Sequence, residues 1–75
     1  MTRPIHNEAA LLVMAERFKA LRKQAGKLQK DIVKDTGLNI GNIEAAKMNI
    51  TIITLRKLCR YYGITEAEFF EGLEM

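Results

Sequence analysis

The sequence predicts an all-α fold of five helices. Apolar residues recur at intervals of three and four along nearly the whole chain, and no stretch alternates apolar and polar residues as a half-buried strand would. Glycines at Gly26, Gly37 and Gly63 divide this pattern into helical segments. At 75 residues, with 48% hydrophobic and 28% charged residues, the chain has the composition of one small globular domain. We expect a single domain over residues 1–75, with residues 1–6 as a flexible arm.

The first helix is predicted to be the longest. It should begin after Asn7, which suits an N-cap, and reach about Ala25, before Gly26 ends it. Its apolar residues share one face, which we expect to line the core: Leu11, Met14, Phe18 and Leu21.

The second helix is predicted to be short, from about Gln29 to Asp35. Its apolar pair, Ile32 and Val33, is expected to face inward. Gly37 then breaks the helical pattern, because glycine adopts the positive φ that most residues avoid.

A third short helix follows this turn. Asn39 suits its N-cap, and it should run from Ile40 to about Ala46, burying Ile40 and Ile43. Two short helices joined by a tight turn and packed on a longer helix let the second of the pair enter a DNA major groove.

Two further helices complete the predicted fold. Thr51 is the expected N-cap of the fourth helix, Gly63 its end, and Thr65 to Glu68 has the spacing of a capping box that opens the fifth. The fourth helix should turn its apolar residues to the core, namely Ile52, Leu55, Leu58, Cys59 and Tyr62. The fifth carries more apolar surface than so small a core needs, so we predict a homodimer through this helix, with the fourth as a further candidate, and an interface that includes Phe69, Phe70 and Leu73.

The charges are unevenly divided along the chain. All twelve Lys and Arg residues lie in the first sixty positions, against five acidic residues there, which gives a balance of +7; residues 61–75 hold four glutamates, a balance of −4. A basic end is suited to a polyanion such as DNA. An ordinary solvated surface explains the same counts, and charge alone does not separate these interpretations.

Several classes of function lack the residues that they require. Cys59 is the single cysteine, so no internal disulfide forms, and the single histidine has no partners for a metal site. The chain shows no nucleophile with its base and no paired carboxylates in a cleft, so no enzyme is predicted. We expect no cofactor and no small-molecule ligand. With no apolar stretch long enough to span a membrane, we expect a cytoplasmic protein.

Several motifs resemble the Cro and phage-repressor (XRE) type of helix-turn-helix domain, and together they cover nearly the whole chain. Phe18–Lys23 with Gly26 resembles the end of the family's first helix, and Gln29 opens the second. Val33, Gly37 and Ile43 fall at the motif's spacing. The segment Ile43–Thr51 is similar to the family's Ile-Glu-x-Gly-Lys-x-Asn-Pro-Ser, and the closing helices are matched by Thr54–Leu58 and Gly63–Phe70. The resemblance implies a five-helix, lambda-repressor-like bundle.

The chain also departs from that family. Between Gln29 and Glu44 it is three residues shorter, about one helical turn. Either the third helix ends early and Lys47 stands where the family has its glutamate, or the turn and helix start are shortened and Glu44 is that glutamate. We favour the second, because the chain from Glu44 onward then stays in register. Leu28 replaces a Ser or Thr N-cap, and Ala46 replaces a glycine.

The resemblance also implies an ion pair between Arg22 and Glu44, although two unrelated surface charges remain an alternative. We predict base-facing positions on the third helix at Asn39, Gly41, Asn42 and Ala45. Asn39 has a second interpretation as an N-cap only, and Asn42 as a solvent-facing residue. Phosphate contacts are predicted at Lys27, Gln29, Lys30, Lys47 and Asn49.

The sequence therefore predicts a protein that binds double-stranded DNA and regulates transcription. The alternative is a protein-interaction module on the same fold, such as an antitoxin or accessory subunit, that has lost tight base recognition. The shortened third helix and its lack of arginine favour the alternative, whereas the basic flanks and Gln29 favour DNA.

Overall fold

A computed structural model describes residues 8–71 and residue 73, and in this part of the chain it contains five helices and no strand. The helices, in chain order, are α1 (Glu8–Gln24), α2 (Gln29–Thr36), α3 (Ile40–Glu44), α4 (Ile52–Tyr62) and α5 (Glu66–Glu71). The predicted all-α class and the order of its helices are confirmed. Asn7, the predicted N-cap of α1, and the predicted arm lie outside the described residues.

Helices α3, α4 and α5 begin where capping side chains satisfy backbone groups. The side-chain oxygens of Asn39 and Thr51 each accept the backbone N–H three residues further on, at 3.3 and 3.1 Å. Thr65 and Glu68 form the predicted capping box: the Thr65 N–H donates to the Glu68 carboxylate at 2.8 Å, and the Glu68 N–H donates to the Thr65 hydroxyl at 3.0 Å. Each bond satisfies a donor that a helix start leaves without an intrahelical acceptor.

All five helices contribute residues to the core. Helix α3 packs against both α1 and α2, and α4 packs against α5. Phe18 of α1 and Phe69 of α5 are fully buried, with ring centroids 4.7 Å apart. This contact joins the first and last helices. The buried core consists of Phe18, Leu21, Ile32, Ile40, Ile43, Leu55, Leu58, Cys59 and Phe69.

Some sequence predictions were wrong in detail. Val33 and Ile52 were expected in the core but are 45% and 68% exposed. Helix α2 turns Ile32 inward, which carries Val33 about 100° round toward solvent, and Ile52 is the first residue of α4, ahead of the turn that packs. Helix α3 ends at Glu44 rather than Ala46, whose φ of +58° is incompatible with helix continuation. Helix α1 ends at Gln24, one residue early.

Candidate nucleic-acid interface

The turn between α2 and α3 redirects the chain within three residues. Gly37 has a φ of +73°, and its N–H donates to the Val33 carbonyl at 2.8 Å. Thr36 Oγ1 donates to the Ile32 carbonyl at 2.7 Å and accepts the Leu38 N–H at 3.2 Å. Glycine adopts a positive φ without a steric penalty. Backbone hydrogen bonds and the Thr36 hydroxyl then close the turn. It fixes the direction in which α3 leaves α2.

Helix α3 has a buried side and an exposed side. Ile40, Ile43 and Glu44 are buried, at 0%, 1% and 5% exposure. The four residues predicted to face bases are all exposed, and they are Asn39, Gly41, Asn42 and Ala45. Asn39 also serves as the N-cap, through its Oδ1. Ala45 lies just past the helix end, at the C-cap.

A buried ion pair holds the end of α3 against α1. Arg22 Nε donates to Glu44 Oε2 at 2.8 Å, and Arg22 Nη2 donates to Glu44 Oε1 at 3.0 Å. The Glu44 side chain is 1% exposed and that of Arg22 is 11% exposed. The hydrogen bond to Glu44 is the main reason why the pKa of Arg22 is raised above its ordinary value. A planar, two-bond contact of this kind fixes orientation as well as distance.

Two more contacts extend this pair into a network. Arg22 Nη1 donates to the backbone carbonyl of Lys27 at 2.9 Å, in the connection between α1 and α2. Gln29 Nε2 donates to Glu44 Oε1 at 3.0 Å. The single carboxylate of Glu44 therefore ties together the end of α1, the start of α2 and the end of α3.

The start of α2 lacks the usual N-cap side chain, and a carboxylate in its first turn partly compensates for this loss. Leu28 occupies the N-cap position with an extended φ of −93° and ψ of 160°, and leucine has no side-chain acceptor. The Leu28 N–H instead donates to Asp31 Oδ2 at 2.9 Å. This is one half of a capping box, and an acidic group in the first turn also complements the helix dipole.

Exposed polar residues flank α3 on both sides in the chain. Lys27 and Lys30 stand at the start of α2, and Lys47 and Asn49 follow α3. Gln29 is exposed as a residue, but its amide nitrogen is already engaged with Glu44. Four of the five predicted phosphate contacts thus have side chains with no protein partner in the described part of the chain.

Comparison with known proteins identifies the family. A model for the helix-turn-helix domain matches residues 15–73, from within α1 to beyond α5. The chain belongs to the helix-turn-helix domain family. The chain has no significant match among curated proteins or among solved structures. Membership in this family makes DNA binding the expected class of activity, because such domains place a helix in the major groove.

The predicted dimer residues of this helix-turn-helix domain differ in their surroundings. Phe69 is 0% exposed and packs on Phe18 within one chain, so its assignment to a dimer interface was wrong. The core of one chain takes up its whole surface. Phe70 is 44% exposed and stands at right angles to Phe69, while Leu73 is half-buried.

The helix-turn-helix domain shows few other features that suggest a ligand. Within residues 8–71, no group of three or more His, Cys, Asp or Glu side chains is placed to hold a metal ion. No helix in this part of the chain is long and apolar enough to cross a membrane. Cys59 is buried in the core, and burial raises the pKa of its thiol.

Sequence reasoning missed three contacts of the interface. These are the amide of Gln29 on Glu44, the guanidinium of Arg22 on the Lys27 carbonyl, and the carboxylate of Asp31 on the Leu28 N–H. Only the last carried a signal, since an acidic residue three positions after a helix start has capping-box spacing. The other two join residues whose proximity depends on the tertiary fold.

Proposed function

We propose that this chain binds double-stranded DNA sequence-specifically, with α3 in the major groove, and that it acts in the cytoplasm as a transcriptional regulator of the Cro and phage-repressor type. The observation that carries the proposal is that α3 has an exposed side and is held in a fixed orientation through its buried side. Its buried side is fixed by core residues and by the Arg22–Glu44 pair, while Asn39, Gly41 and Asn42 remain open to solvent.

The exposed side of α3 has chemistry suited to base edges. Asparagine amides carry a donor and an acceptor and can bind adenine through N6 and N7. Gly41 has no side chain, which permits a close approach of the helix backbone to the groove. The methyl group of Ala45 is suited to the methyl group of thymine.

Phosphate contacts supply affinity that does not depend on sequence. Lys27 and Lys30 are exposed beside the first turn of α2, where backbone N–H groups have no intrahelical acceptors. Lys47 and Asn49 lie in the connection after α3. Contacts on both sides of α3 would hold it in the groove between two strands of phosphates.

We also propose a homodimer, with Phe70 of α5 at its interface. Phe70 is exposed, in contrast to Phe69 beside it. Symmetric helix-turn-helix dimers bind half-sites about one helical turn apart. A dimer of this chain should therefore protect a palindromic site.

A protein-interaction module on the same fold is the second candidate. It is favoured by the length of α3, which has five residues and is therefore only about 7.5 Å long. Seven large apolar side chains are exposed in the described part of the chain as well, among them Ile52 and Ile53 at 68% and 76%. A module of this kind would bind no duplex tightly, even at low salt.

Selection of bound sequences from a random duplex pool, followed by footprinting, tests the proposal. We expect enrichment of a palindromic consensus whose halves are spaced by about one helical turn. Failure to enrich any sequence, with no duplex bound at low salt, would contradict the proposal and favour the second candidate.

Two asparagine variants make this selection sharper. Asn42 lies on the exposed side of α3, and Asn49 lies in the following connection; both are exposed. Asn42→Ala should relax the consensus at one position in each half-site, because it removes a base contact. Asn49→Ala should weaken binding uniformly and leave the consensus unchanged, as loss of a phosphate contact does. Identical effects of the two variants would contradict these roles.

A further inference from the structure

The amide of Gln29 is held in one orientation by its neighbour. Its nitrogen, Nε2, lies 3.0 Å from Glu44 Oε1. The carboxylate of Glu44 is paired with Arg22 through two hydrogen bonds and only accepts further bonds. The nitrogen end of the amide must therefore face Glu44. Its oxygen, Oε1, is left without a donor in the described part of the chain.

This oxygen lies beside the exposed side of α3. A Cβ atom built on Gly41 would be 3.7 Å from Gln29 Oε1 and 3.9 Å from Asn39 Oδ1. Two side-chain oxygens, from α2 and from the N-cap of α3, therefore flank the place where Gly41 has no side chain. Asn39 Oδ1 accepts the Asn42 N–H at 3.3 Å, and an amide oxygen has a second lone pair to offer.

An open position beside two acceptor oxygens is complementary to a hydrogen-bond donor. In the major groove the donors are the exocyclic amino groups, N6 of adenine and N4 of cytosine, each of which has one hydrogen that base pairing does not use. Guanine presents O6 and N7 there, and thymine presents O4, all of them acceptors. Acceptors facing these oxygens would lose their bonds to water and gain none, which penalises guanine and thymine.

Resting on the proposed DNA-binding function, we propose that Gln29 determines base specificity: its Oε1, together with Asn39 Oδ1, receives an exocyclic amino group of adenine or cytosine at the place left open by Gly41. This differs from the phosphate contact that the sequence predicts for Gln29. Phosphate oxygens are acceptors, so they cannot bind the Gln29 oxygen that faces Gly41, and one of the two hydrogens on the amide nitrogen is already donated to Glu44.

The test compares affinities for four duplexes that differ only at one base pair of the selected site. Each base pair of the half-site is tested in turn with the wild type and with Gln29→Met, a variant of similar length without an acceptor oxygen, and the expected change falls at one base pair. We expect the wild-type protein to prefer adenine or cytosine over guanine and thymine by about tenfold, and Gln29→Met to reduce that preference below about threefold. Preferences at the other positions should be retained.

Lys30→Met is the matched control, because it removes an exposed cation one residue away. It should weaken all four duplexes by the same factor and leave the preference unchanged. If Gln29→Met also weakens all four equally, or changes nothing, Gln29 is not a specificity residue and the inference fails. If neither the variant nor the wild type binds any duplex, the proposed function itself fails.

A second measurement does not need Gln29→Met and separates the two bases, because substituted bases are placed in turn at each position of the half-site that Asn42→Ala does not relax. Purine in place of adenine, or 2-pyrimidinone in place of cytosine, removes only the exocyclic amino group. With wild-type protein we expect about a tenfold loss of affinity for whichever substitution removes the amino group at this position. Unchanged affinity for the substituted duplexes at all of these positions would overturn the inference, even if Gln29→Met fails to fold.

Discussion

Ala46 has the least favourable backbone conformation in the described part of the chain. Its φ of +58° places it in the left-handed region, where it is the one residue other than glycine among residues 8–71. An L-residue with a Cβ pays about 1–2 kcal/mol there. The chain leaves α3 with an alanine in the conformation that glycine prefers.

Ala46→Gly should therefore stabilise the protein. Relief of the left-handed strain exceeds the added entropy of the unfolded chain, so we expect a gain of about 1 kcal/mol and a rise in Tm of roughly 5 °C. Thermal unfolding followed by circular dichroism measures it. Ala45→Gly is the matched control, since Ala45 has an ordinary φ of −90°, and it should lower Tm. A lower Tm for Ala46→Gly would contradict this account.

The two tyrosines are held in their neutral forms by different causes. Tyr61 donates to Asp35 Oδ2 at 2.5 Å, and this bond is the main reason why its pKa rises to about 12. Burial, followed by the charge of Glu44, raises the pKa of Tyr62 to about 12. Both phenols favour the neutral form in the folded protein. Their contribution to stability is complete below pH 10 and is lost as the pH rises from 10 through 12.

Phenolate absorbance should accordingly appear late in an alkaline titration. Free tyrosine is half ionised near pH 10, but the folded protein should still be mostly neutral there and should ionise toward pH 12. Protein unfolded in denaturant should titrate near pH 10, which supplies the control. Tyr61→Phe isolates the signal of Tyr62. Half-ionisation of the folded protein at pH 10 would contradict both the hydrogen bond of Tyr61 and the burial of Tyr62.

At the scale of helices, α3 contains a glycine that disfavours helix formation and leaves open space on the exposed side of the helix. Gly41 lies in its interior, where glycine costs about 1 kcal/mol relative to alanine. The nearest atoms to a Cβ built there are side-chain oxygens at 3.7 and 3.9 Å, which are ordinary contacts. The fold therefore has room for a methyl group at this position. We attribute the glycine to DNA binding rather than to folding.

Gly41→Ala should separate stability from function. We expect it to raise the stability by up to about 1 kcal/mol and to weaken DNA binding, because its methyl group occupies the place nearest the groove. Thermal unfolding and a duplex titration measure the two effects. Ala46→Gly serves as the control, since it should stabilise by a similar amount without altering the exposed side of α3. Equal DNA affinity for Gly41→Ala and wild type would contradict this role of Gly41.

Much of the helical architecture follows from local rules. The cap at Asn39, the cap at Thr51 and the box between Thr65 and Glu68 were each predicted from residue type and spacing. Which side of a short helix faces inward was harder to predict. Ile32 and Val33 are adjacent in α2, so their spacing does not show which of them faces the core. Tertiary packing buries Ile32 and leaves Val33 exposed.

The candidate site was predicted less completely than the fold. The exposed residues of α3 could be named because their neighbours Ile40 and Ile43 have the spacing of a buried side. The contact from Gln29 to Glu44 spans fifteen residues and arises only when α2 and α3 are packed. Periodicity carries no information about such a contact. The role of Gln29 therefore had to come from the structure.

At the scale of the whole molecule, exposed apolar residues suggest where a second copy binds. Phe70→Glu should shift the protein toward monomer in sedimentation, because it places a charge at the proposed interface. Phe70 is 44% exposed, so folding should be little affected. Val33→Glu is the matched control, at 45% exposure on α2. An unchanged mass for Phe70→Glu would place the interface elsewhere.

Two groups of cations differ in their surroundings. Those of α4 have acidic neighbours: Arg56 Nε lies 3.2 Å from Glu66 Oε2, and Lys57 lines a groove with Asp35. Lys27 and Lys30 have no ion pair within the described residues. The second group is the better candidate for neutralising phosphates, and Lys57 is a suitable control.

The salt dependence of duplex binding tests the central claim most directly. If α3 enters the groove with phosphates held on both sides, affinity should fall steeply and log-linearly with salt. The double variant Lys27→Ala/Lys30→Ala should reduce that slope by about 2, and Lys57→Ala should leave it unchanged. No binding at low salt, or a slope that is the same in the wild type and the double variant, would contradict the account.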